Sequence, residues 1–186
     1  STEFCEVYFD DVRVPVSNRV GAENDGWRVT MVTLSFERGT AFVSEMLEAI
    51  RLTRELATLA KRITSNGATK WDDVALRREL GRLAAELDAL WALTKRNISQ
   101  AQRTGLVGTG GNVFKLAYTD LLHRLGDLAM HTLDRASLSM DDIDDLGTGK
   151  FVVHRIHGLS MTIAAGTTQI NKNIVAERIL GLPKDR

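Results

Sequence analysis

The amino-acid sequence predicts an all-α fold, an up-down helical bundle of about five helices with a short N-terminal β segment. Three observations predict it. Apolar residues recur at helical spacing over most of the 186 residues, they lie on one face of each periodic stretch, and short polar or glycine-rich segments separate the stretches. Because 44% of the residues are hydrophobic, a chain of this length can bury a substantial core.

The N-terminal residues are predicted to form one or two short strands. Aromatic and β-branched residues dominate residues 4–9, apolar and polar residues alternate over residues 12–14, and Pro15 ends the pattern. Two strands do not form a stable sheet alone, so we expect them either to belong to a sheet whose other strands are missing or to pack on the helices.

Five helices follow in the prediction. The first starts after the capping residues of GAENDGW and runs over residues 27–63, and the second begins near residue 71 and ends in the glycine-rich RTGLVGTGGN. The other three are predicted over residues 113–133, 151–164 and 167–180. Gly181 is placed to adopt the left-handed conformation that ends a helix, with Pro183 just beyond it.

Composition excludes several classes of protein. Lys plus Arg and Asp plus Glu number 24 each, so no net positive field attracts nucleic acid or a membrane surface. No stretch has the length and apolarity that membrane insertion requires. Cys5 is the only cysteine, which rules out a disulfide within this sequence and a thiolate metal cluster. A reducing compartment, the cytoplasm, is therefore expected.

Two glycine motifs are predicted to be interhelical turns rather than phosphate loops. GTGGN, residues 108–112, has Val113 where the GxGxxG pattern needs its third glycine, and a predicted helix rather than a strand precedes it. GTGK, residues 147–150, has Asp144 in place of the upstream glycine and Phe151 in place of the Ser or Thr of a Walker loop.

Two clusters of potential metal ligands are also predicted to be structural. A calcium loop that begins in DDIDD, residues 141–145, needs glutamate at its twelfth position, where this chain has Val153. His154 and His157 share a helix face, but no third ligand is evident, so surface or interface histidines are expected. No metal site is predicted.

Two longer stretches resemble one known family. EVYFDDVRVPVSNRVGAENDGWRVTMVTLSFERG, residues 6–39, looks like the segment of acyl-CoA dehydrogenases that leaves the middle β-domain and enters the C-terminal helical domain. IAAGTTQINKNIVAERILGLP, residues 163–183, resembles the closing segment of the same family. The resemblance covers nearly the whole chain but only the C-terminal half of a typical member. It implies that residues 1–20 are the remnant of the middle β-domain and residues 21–186 the C-terminal helical bundle.

The resemblance implies an FAD-dependent enzyme that oxidises an acyl-CoA substrate to trans-2-enoyl-CoA. In this family a carboxylate removes the α-proton while the flavin accepts hydride from the β-carbon. An electron-transfer flavoprotein or a similar acceptor then reoxidises the flavin, and members assemble as homo- or hetero-oligomers, dimers or tetramers. The isolated chain is expected to be inactive, because the other domains of the family are missing from it.

The family's proton acceptor is often a glutamate just before the Gly-Thr of the closing motif, and here that residue is Ala165. Alanine cannot accept a proton. Other members carry the glutamate on the first long helix, directly before an arginine, and SFERG supplies Glu37 and Arg38 at that place. The resemblance thus implies Glu37 as the catalytic base and Arg38 as a residue that orients Glu37 or the substrate.

Ala165 keeps the backbone N–H that in this family binds the thioester oxygen, so the resemblance implies a role for its amide. Gly166, Thr167 and Gln169 correspond to the family's FAD-contact positions, although Thr167 also suits an N-cap.

Two FAD motifs of the family are absent from the sequence. KRITSNGATKWDD stands where members carry Arg-x-x-Phe-Gly, and HTLDR stands where many carry Gln-x-x-Gly-Gly. Three alternatives follow: a divergent dehydrogenase that binds FAD differently, a non-catalytic partner subunit of a heteromer, or a helical interaction module without flavin.

Overall fold

The computed structural model describes residues 6–40, 43–105, 108 and 110–184, and for residues 35–40 it describes the backbone only. The chain divides into two compact units, one up to Thr33 and the other comprising Leu34–Arg186. In the first unit, residues 6–15 form neither helix nor strand, a 3-10 turn spans Val16–Asn18, and helix α1 (Gly26–Thr40) begins. An ion pair between Asp25 and Arg28 lies at the start of that helix.

The second unit contains five further α-helices and a two-stranded antiparallel hairpin among its described residues. These elements are α2 (Val43–Ala60), β1 (Thr64–Ser65), β2 (Ala68–Thr69), α3 (Val74–Thr104), α4 (Gly110–Leu133), α5 (Gly149–Ser160) and α6 (Thr168–Arg178). The predicted all-α class with a short β segment is confirmed. The paired strands lie between α2 and α3, whereas residues 6–15 pair with no described strand.

Helix α4 is the central element of the second unit, because it packs against α2, α3, α5 and α6. Helices α2 and α3 each bury one apolar stripe, as the periodicity predicts. The buried stripe of α3 consists of Leu76, Leu80, Leu83, Leu87 and Leu90. Contacts on several sides bury α4 more completely, and the buried set includes the polar residues Asn112, Lys115 and Thr119.

Helix boundaries follow the local chemistry of the sequence. The carboxylate of Asp73 accepts a 2.8 Å hydrogen bond from the N–H of Ala75 and caps α3, which ends at Gly105 with φ +67°. Helix α4 begins at Gly110, three residues before the predicted start. A Cβ on Gly110 would overlap the side chain of Asn97, so glycine allows α4 to begin close to α3.

The first predicted helix, residues 27–63, is represented by α1 and α2, and residues 41–42 between them lie outside the described chain. Gly181 has φ +68°, so its predicted left-handed conformation is confirmed. The domain boundary predicted at residue 20 stays a prediction.

Ion pairs between side chains join the helices at the surface of the bundle. Arg124 of α4 contacts Glu86 of α3, and Lys150 of α5 contacts Glu55 of α2. Among the described helices, none is both long enough and apolar enough to cross a bilayer.

Candidate active site

The turn between α5 and α6 has an unusual backbone conformation. Two consecutive residues, Ala165 and Gly166, have φ values of +53° and +89°. Glycine adopts this region freely, but the Cβ of alanine makes it cost about 1–2 kcal/mol. A strained alanine persists only where surrounding contacts fix the backbone. Ala165 is half-buried and packs against the hydrophobic core.

Two hydrogen bonds to the carbonyl oxygen of Thr162 fix one end of this turn. The N–H of Thr168, the first residue of α6, donates to that oxygen at 3.1 Å. The amino group of Lys115, on α4, donates to the same oxygen at 3.2 Å. Residues 163–167 therefore form a loop whose two ends meet at a carbonyl bound from two directions.

The other end of the turn is held by Asn171, which is fully buried on α6. Its Nδ2 donates to the carbonyl of Gly166 at 2.8 Å and to that of Thr167 at 3.0 Å. Its Oδ1 accepts a 2.7 Å hydrogen bond from Nδ2 of Asn112, a buried residue in the first turn of α4. The turn is thus fixed to α4 through both Lys115 and Asn112.

Thr167 is the N-cap of α6, since its hydroxyl accepts a 3.2 Å hydrogen bond from the N–H of Ile170. Gln169 is exposed in the first turn of that helix. The predicted capping role of Thr167 is therefore confirmed. The predicted FAD contacts of Gly166, Thr167 and Gln169 stay predictions.

The N–H groups of the turn differ from its carbonyls in their hydrogen bonding. Within the described part of the chain, the N–H groups of Ala165 and Gly166 donate to no other residue. Successive amides in a turn with left-handed residues form a concavity that suits a negatively charged oxygen. The turn therefore keeps the carbonyls of Thr162, Gly166 and Thr167 bound to the protein and leaves two adjacent N–H donors for a ligand.

Glu37 and Arg38 belong to α1, but their side chains lie outside the described residues. Their predicted roles as base and orienting residue stay predictions. The backbone of both residues belongs to the same compact unit as the turn.

Two small cavities lie within the second unit. One, of about 280 Å³, lies between α4 and α6 and includes Thr162 and Thr168 of the turn in its lining. The other, of about 270 Å³, lies among α2, α4 and α5 and is lined partly by His154 and His157. In this second cavity Nε2 of His154 lies 3.2 Å from the carboxylate of Glu48.

Burial alters the acidity of two groups on α4. Desolvation lowers the pKa of the Lys115 ammonium, because burial disfavours its charged form. Burial also raises the pKa of the Tyr118 hydroxyl, and the nearby carboxylates of Glu45 and Glu48 add to that effect.

The acidic loop before α5 shapes the start of that helix. The carboxylate of Asp142 accepts a 2.8 Å hydrogen bond from the N–H of Gly149, and the buried hydroxyl of Thr148 accepts one from the N–H of Ile143. A Cβ on Gly149 would overlap the carbonyl oxygen of Met140. The second glycine of GTGK, Gly149, is explained by this close approach of two backbone segments.

Sequence reasoning missed Asn112, Lys115 and Asn171, the three side chains that fix the turn. From the sequence alone, these polar residues could not be distinguished from ordinary surface residues. One signal could have found two of them: Asn112 and Lys115 lie three residues apart and therefore share one face of α4.

Comparisons with known proteins agree with this architecture. Residues 24–180 match the family described as "Acyl-CoA dehydrogenase, C-terminal domain". The chain is 34% identical over 188 residues to "Acyl-CoA dehydrogenase IpdE1" of Mycobacterium tuberculosis, with 100% of this chain and 46% of the relative covered. It is 35% identical over 189 residues to the IpdE1 protein of Mycolicibacterium smegmatis, with 99% and 44% covered.

Solved structures show the same fold. A chain of the ChsE4–ChsE5 complex from Mycobacterium tuberculosis aligns with a TM-score of 0.77 and 26% identity, over 96% of this chain and 46% of that one. The glutaryl-coenzyme A dehydrogenase complex with glutaryl-CoA aligns with a TM-score of 0.81 and 20% identity, over 95% and 43%.

This chain spans about half the length of the curated relatives named above. The family match covers the turn, its supporting residues on α4 and α6, and most of the helical bundle. The chain belongs to the acyl-CoA dehydrogenase family, and residues 24–180 correspond to the C-terminal domain of that family.

Proposed function

We propose that the full-length protein is an FAD-dependent acyl-CoA dehydrogenase in which this domain contributes the catalytic base and an oxyanion donor. One observation carries the proposal. The carbonyls of Thr162, Gly166 and Thr167 accept hydrogen bonds from the protein, whereas the N–H groups of Ala165 and Gly166 donate to no described residue. Such a turn has two adjacent donors available for substrate or cofactor.

The proposed role of the Ala165 amide follows from the charge that develops in the reaction. When the α-proton of a thioester leaves, negative charge grows on the carbonyl oxygen. A fixed N–H donor stabilises that charge more than it stabilises the neutral ground state. This role requires only the backbone of residue 165, so the change from glutamate to alanine preserves it.

The proton acceptor must then come from another residue. Glu37 is our candidate, because a base has to come within hydrogen-bond reach of the proton it removes and the family places a glutamate there in some members. Arg38 follows it directly and orients either the Glu37 carboxylate or the substrate in this proposal.

Gly166, Thr167 and Gln169 would hold FAD at the start of α6. The positive end of the helix dipole and the exposed side chain of Gln169 suit the polar atoms of that cofactor. When bound, FAD would supply the acceptor for the β-hydride. The amide of Gly166, next to that of Ala165, is available for one of these contacts.

A second candidate function is that of a non-catalytic partner subunit in a heteromer. Two observations favour it. Residues 61–73, which lack the family's Arg-x-x-Phe-Gly, contain the hairpin Thr64–Thr69, and residues 131–135, which lack Gln-x-x-Gly-Gly, form the end of α4 and the start of a 3-10 turn. A relative of this chain is solved in a two-component complex, ChsE4–ChsE5. A helical interaction module without flavin is a third candidate.

The remaining parts of the proposal concern cellular context. The substrate is an acyl-CoA thioester, and the electron acceptor is an electron-transfer flavoprotein or a similar protein. We place the enzyme in the cytoplasm as a homo- or hetero-oligomer, dimeric or tetrameric.

The test uses the full-length protein, purified alone and after co-expression with a related chain. A bound oxidised-flavin spectrum is expected, and acyl-CoA should bleach it. Glu37→Gln should slow the bleaching by about 100-fold or more while FAD stays bound, because general-base catalysis contributes that much. Glu23→Gln, which changes an exposed glutamate before α1, is the control.

The outcomes separate the candidates. Unchanged bleaching in Glu37→Gln would remove this residue from the mechanism. Flavin that binds only after co-expression would favour the heteromer, and loss of bleaching in Glu37→Gln within that heteromer would identify this chain as the catalytic subunit. A full-length protein that binds no flavin in either form would favour the interaction module.

A further inference from the structure

Lys115, in the second turn of α4, is a lysine with no exposed surface. Lysine is rarely buried to this extent unless a charged partner compensates for its desolvation. Among the described residues its amino group makes one hydrogen bond, to the carbonyl of Thr162. A methionine would fill similar space without that desolvation cost, which indicates that the amino group itself has a role.

The amino group of Lys115 binds one end of the turn that forms the candidate site. The Thr162 carbonyl that it binds also receives the N–H of Thr168, and the loop closed by these bonds contains Ala165. Ala165 is held in a conformation that alanine disfavours, so the loop would relax if its anchor were lost.

Lys115 lies on the same helix as Asn112, which supports the other end of the turn through Asn171. Asn112 and Lys115 are three residues apart on α4 and share a face. Asn112 acts through Asn171 on the carbonyls of residues 166 and 167, and Lys115 acts directly on that of Thr162. The two ends of the loop are therefore fixed to one rigid element.

We propose that Lys115 is a positioning residue for the oxyanion donor: by holding the Thr162 carbonyl it keeps the amide of Ala165 directed at the thioester oxygen. This inference rests on the proposed function. Lys115 acts through the backbone of the turn, so it is expected to affect the chemical step more than the binding of the rest of the CoA ester.

The test compares Lys115→Met with Lys95→Met in the full-length protein and any partner chain that it requires. Lys95 is exposed on α3, so its replacement removes the same charge without touching the turn. The first measurement is amide hydrogen exchange in residues 162–170, which needs no activity. The second is steady-state turnover of an acyl-CoA, with FAD content measured for each variant.

Lys115→Met should accelerate exchange at the Thr168 amide, whose acceptor is no longer anchored, by about 10-fold or more. It should lower kcat by about 10- to 100-fold, the range expected for a misplaced donor, while KM stays within about two-fold and FAD stays bound. Lys95→Met should match the wild type in each measurement.

Exchange and kcat equal to those of Lys95→Met would overturn the proposal. If Lys115→Met does not fold, Lys115→Gln is used instead, since its shorter side chain fills part of the space and cannot reach Thr162. The same losses are then expected, and their absence would again overturn the proposal. If the wild-type protein does not oxidise acyl-CoA, the proposed function fails, but the exchange experiment still decides whether Lys115 anchors the turn.

Discussion

Asn112 Nδ2 donates a 2.7 Å hydrogen bond to Asn171 Oδ1, and this buried bond joins the start of α4 to α6. The Nδ2 amide of Asn171 donates to two carbonyls of the turn that contains Ala165. A contact between residues 59 positions apart therefore determines the local conformation of the candidate site.

This bond predicts energetic coupling between the two asparagines. Asn112→Ala and Asn171→Ala should each lower the free energy of unfolding by about 1–3 kcal/mol, because each leaves a buried polar partner unsatisfied. The double variant should lose less than the sum, by about 0.5–3 kcal/mol. Urea denaturation of all variants measures this, with the exposed Asn173→Ala as a control. Strictly additive losses would contradict the coupling.

The positive φ of Ala165 predicts that glycine stabilises this position. Ala165→Gly should raise the free energy of unfolding by up to about 1 kcal/mol, because it removes the Cβ penalty of the left-handed conformation. The amide is retained, so kcat should be preserved. Ala164→Gly is the matched control, and it should destabilise, since Ala164 has no positive φ. A loss of stability in Ala165→Gly would show that its strain is not relieved by glycine.

Replacement of glycine by alanine should change the stability of the protein in opposite directions at two places in the bundle. Gly149→Ala should destabilise the protein by about 1–3 kcal/mol, because the Cβ added at this buried residue would overlap the Met140 carbonyl oxygen. Gly81→Ala should stabilise α3 by about 0.5–1 kcal/mol, because nothing lies near the new methyl group and alanine favours helix. Thermal denaturation distinguishes the two, and equal shifts in the melting temperature would refute the explanation of Gly149.

The carboxylates on α2 predict a loss of stability in acid. The hydrogen bond from Lys150 lowers the pKa of Glu55, and that from Arg51 lowers the pKa of Glu48. Because both pKa values are depressed in the folded state, their contribution is present above the ordinary value of 4.5 and is lost as pH falls below it. Denaturation between about pH 6 and pH 3 measures the effect.

Lys150→Met should reduce the part of this acid dependence that belongs to Glu55. Lys95→Met, which removes an exposed lysine of α3, should leave the dependence unchanged. An acid profile of Lys150→Met identical to that of the wild type would show that the pair between α2 and α5 does not contribute.

We expect a catalytic carboxylate to function at either residue 37 or residue 165. In the full-length protein, Ala165→Glu combined with Glu37→Gln should recover part of the flavin bleaching that Glu37→Gln loses, because in the proposed mechanism a carboxylate at either position reaches the same proton. The FAD content and melting temperature of the double variant show whether it is intact. An intact, flavin-bound double variant without any recovery would contradict the relocated base.

Much of the fold could be predicted because α2 and α3, which pack against α4, each bury one apolar stripe. The leucines of α3 repeat at helical spacing, and Leu83 and Leu87 are buried as that pattern requires. The N-terminal strand prediction had no such support. Residues 6–15 have strand-like composition, but a strand needs a hydrogen-bonded neighbour and none is described for them.

The candidate site was predicted in part. The Gly-Thr turn and the N-cap role of Thr167 followed from short-range patterns, because a cap depends on residues within one helical turn. Ala165 could be identified as a position without a carboxylate, but its left-handed backbone could not. That conformation depends on contacts with α4, which lies about fifty residues earlier in the chain.

The sequence by itself determined the helical periodicity, the positions of the turns and which residue types stand at the candidate site. Only the tertiary structure decided that Lys115, Asn112 and Asn171 are buried and hold the turn. The physical reason is that periodicity shows which residues share a face of a helix, but it does not show how many faces are covered. Helix α4 contacts four other helices, so even polar residues such as Asn112 and Lys115 are buried in the bundle, where each must find a hydrogen-bond partner.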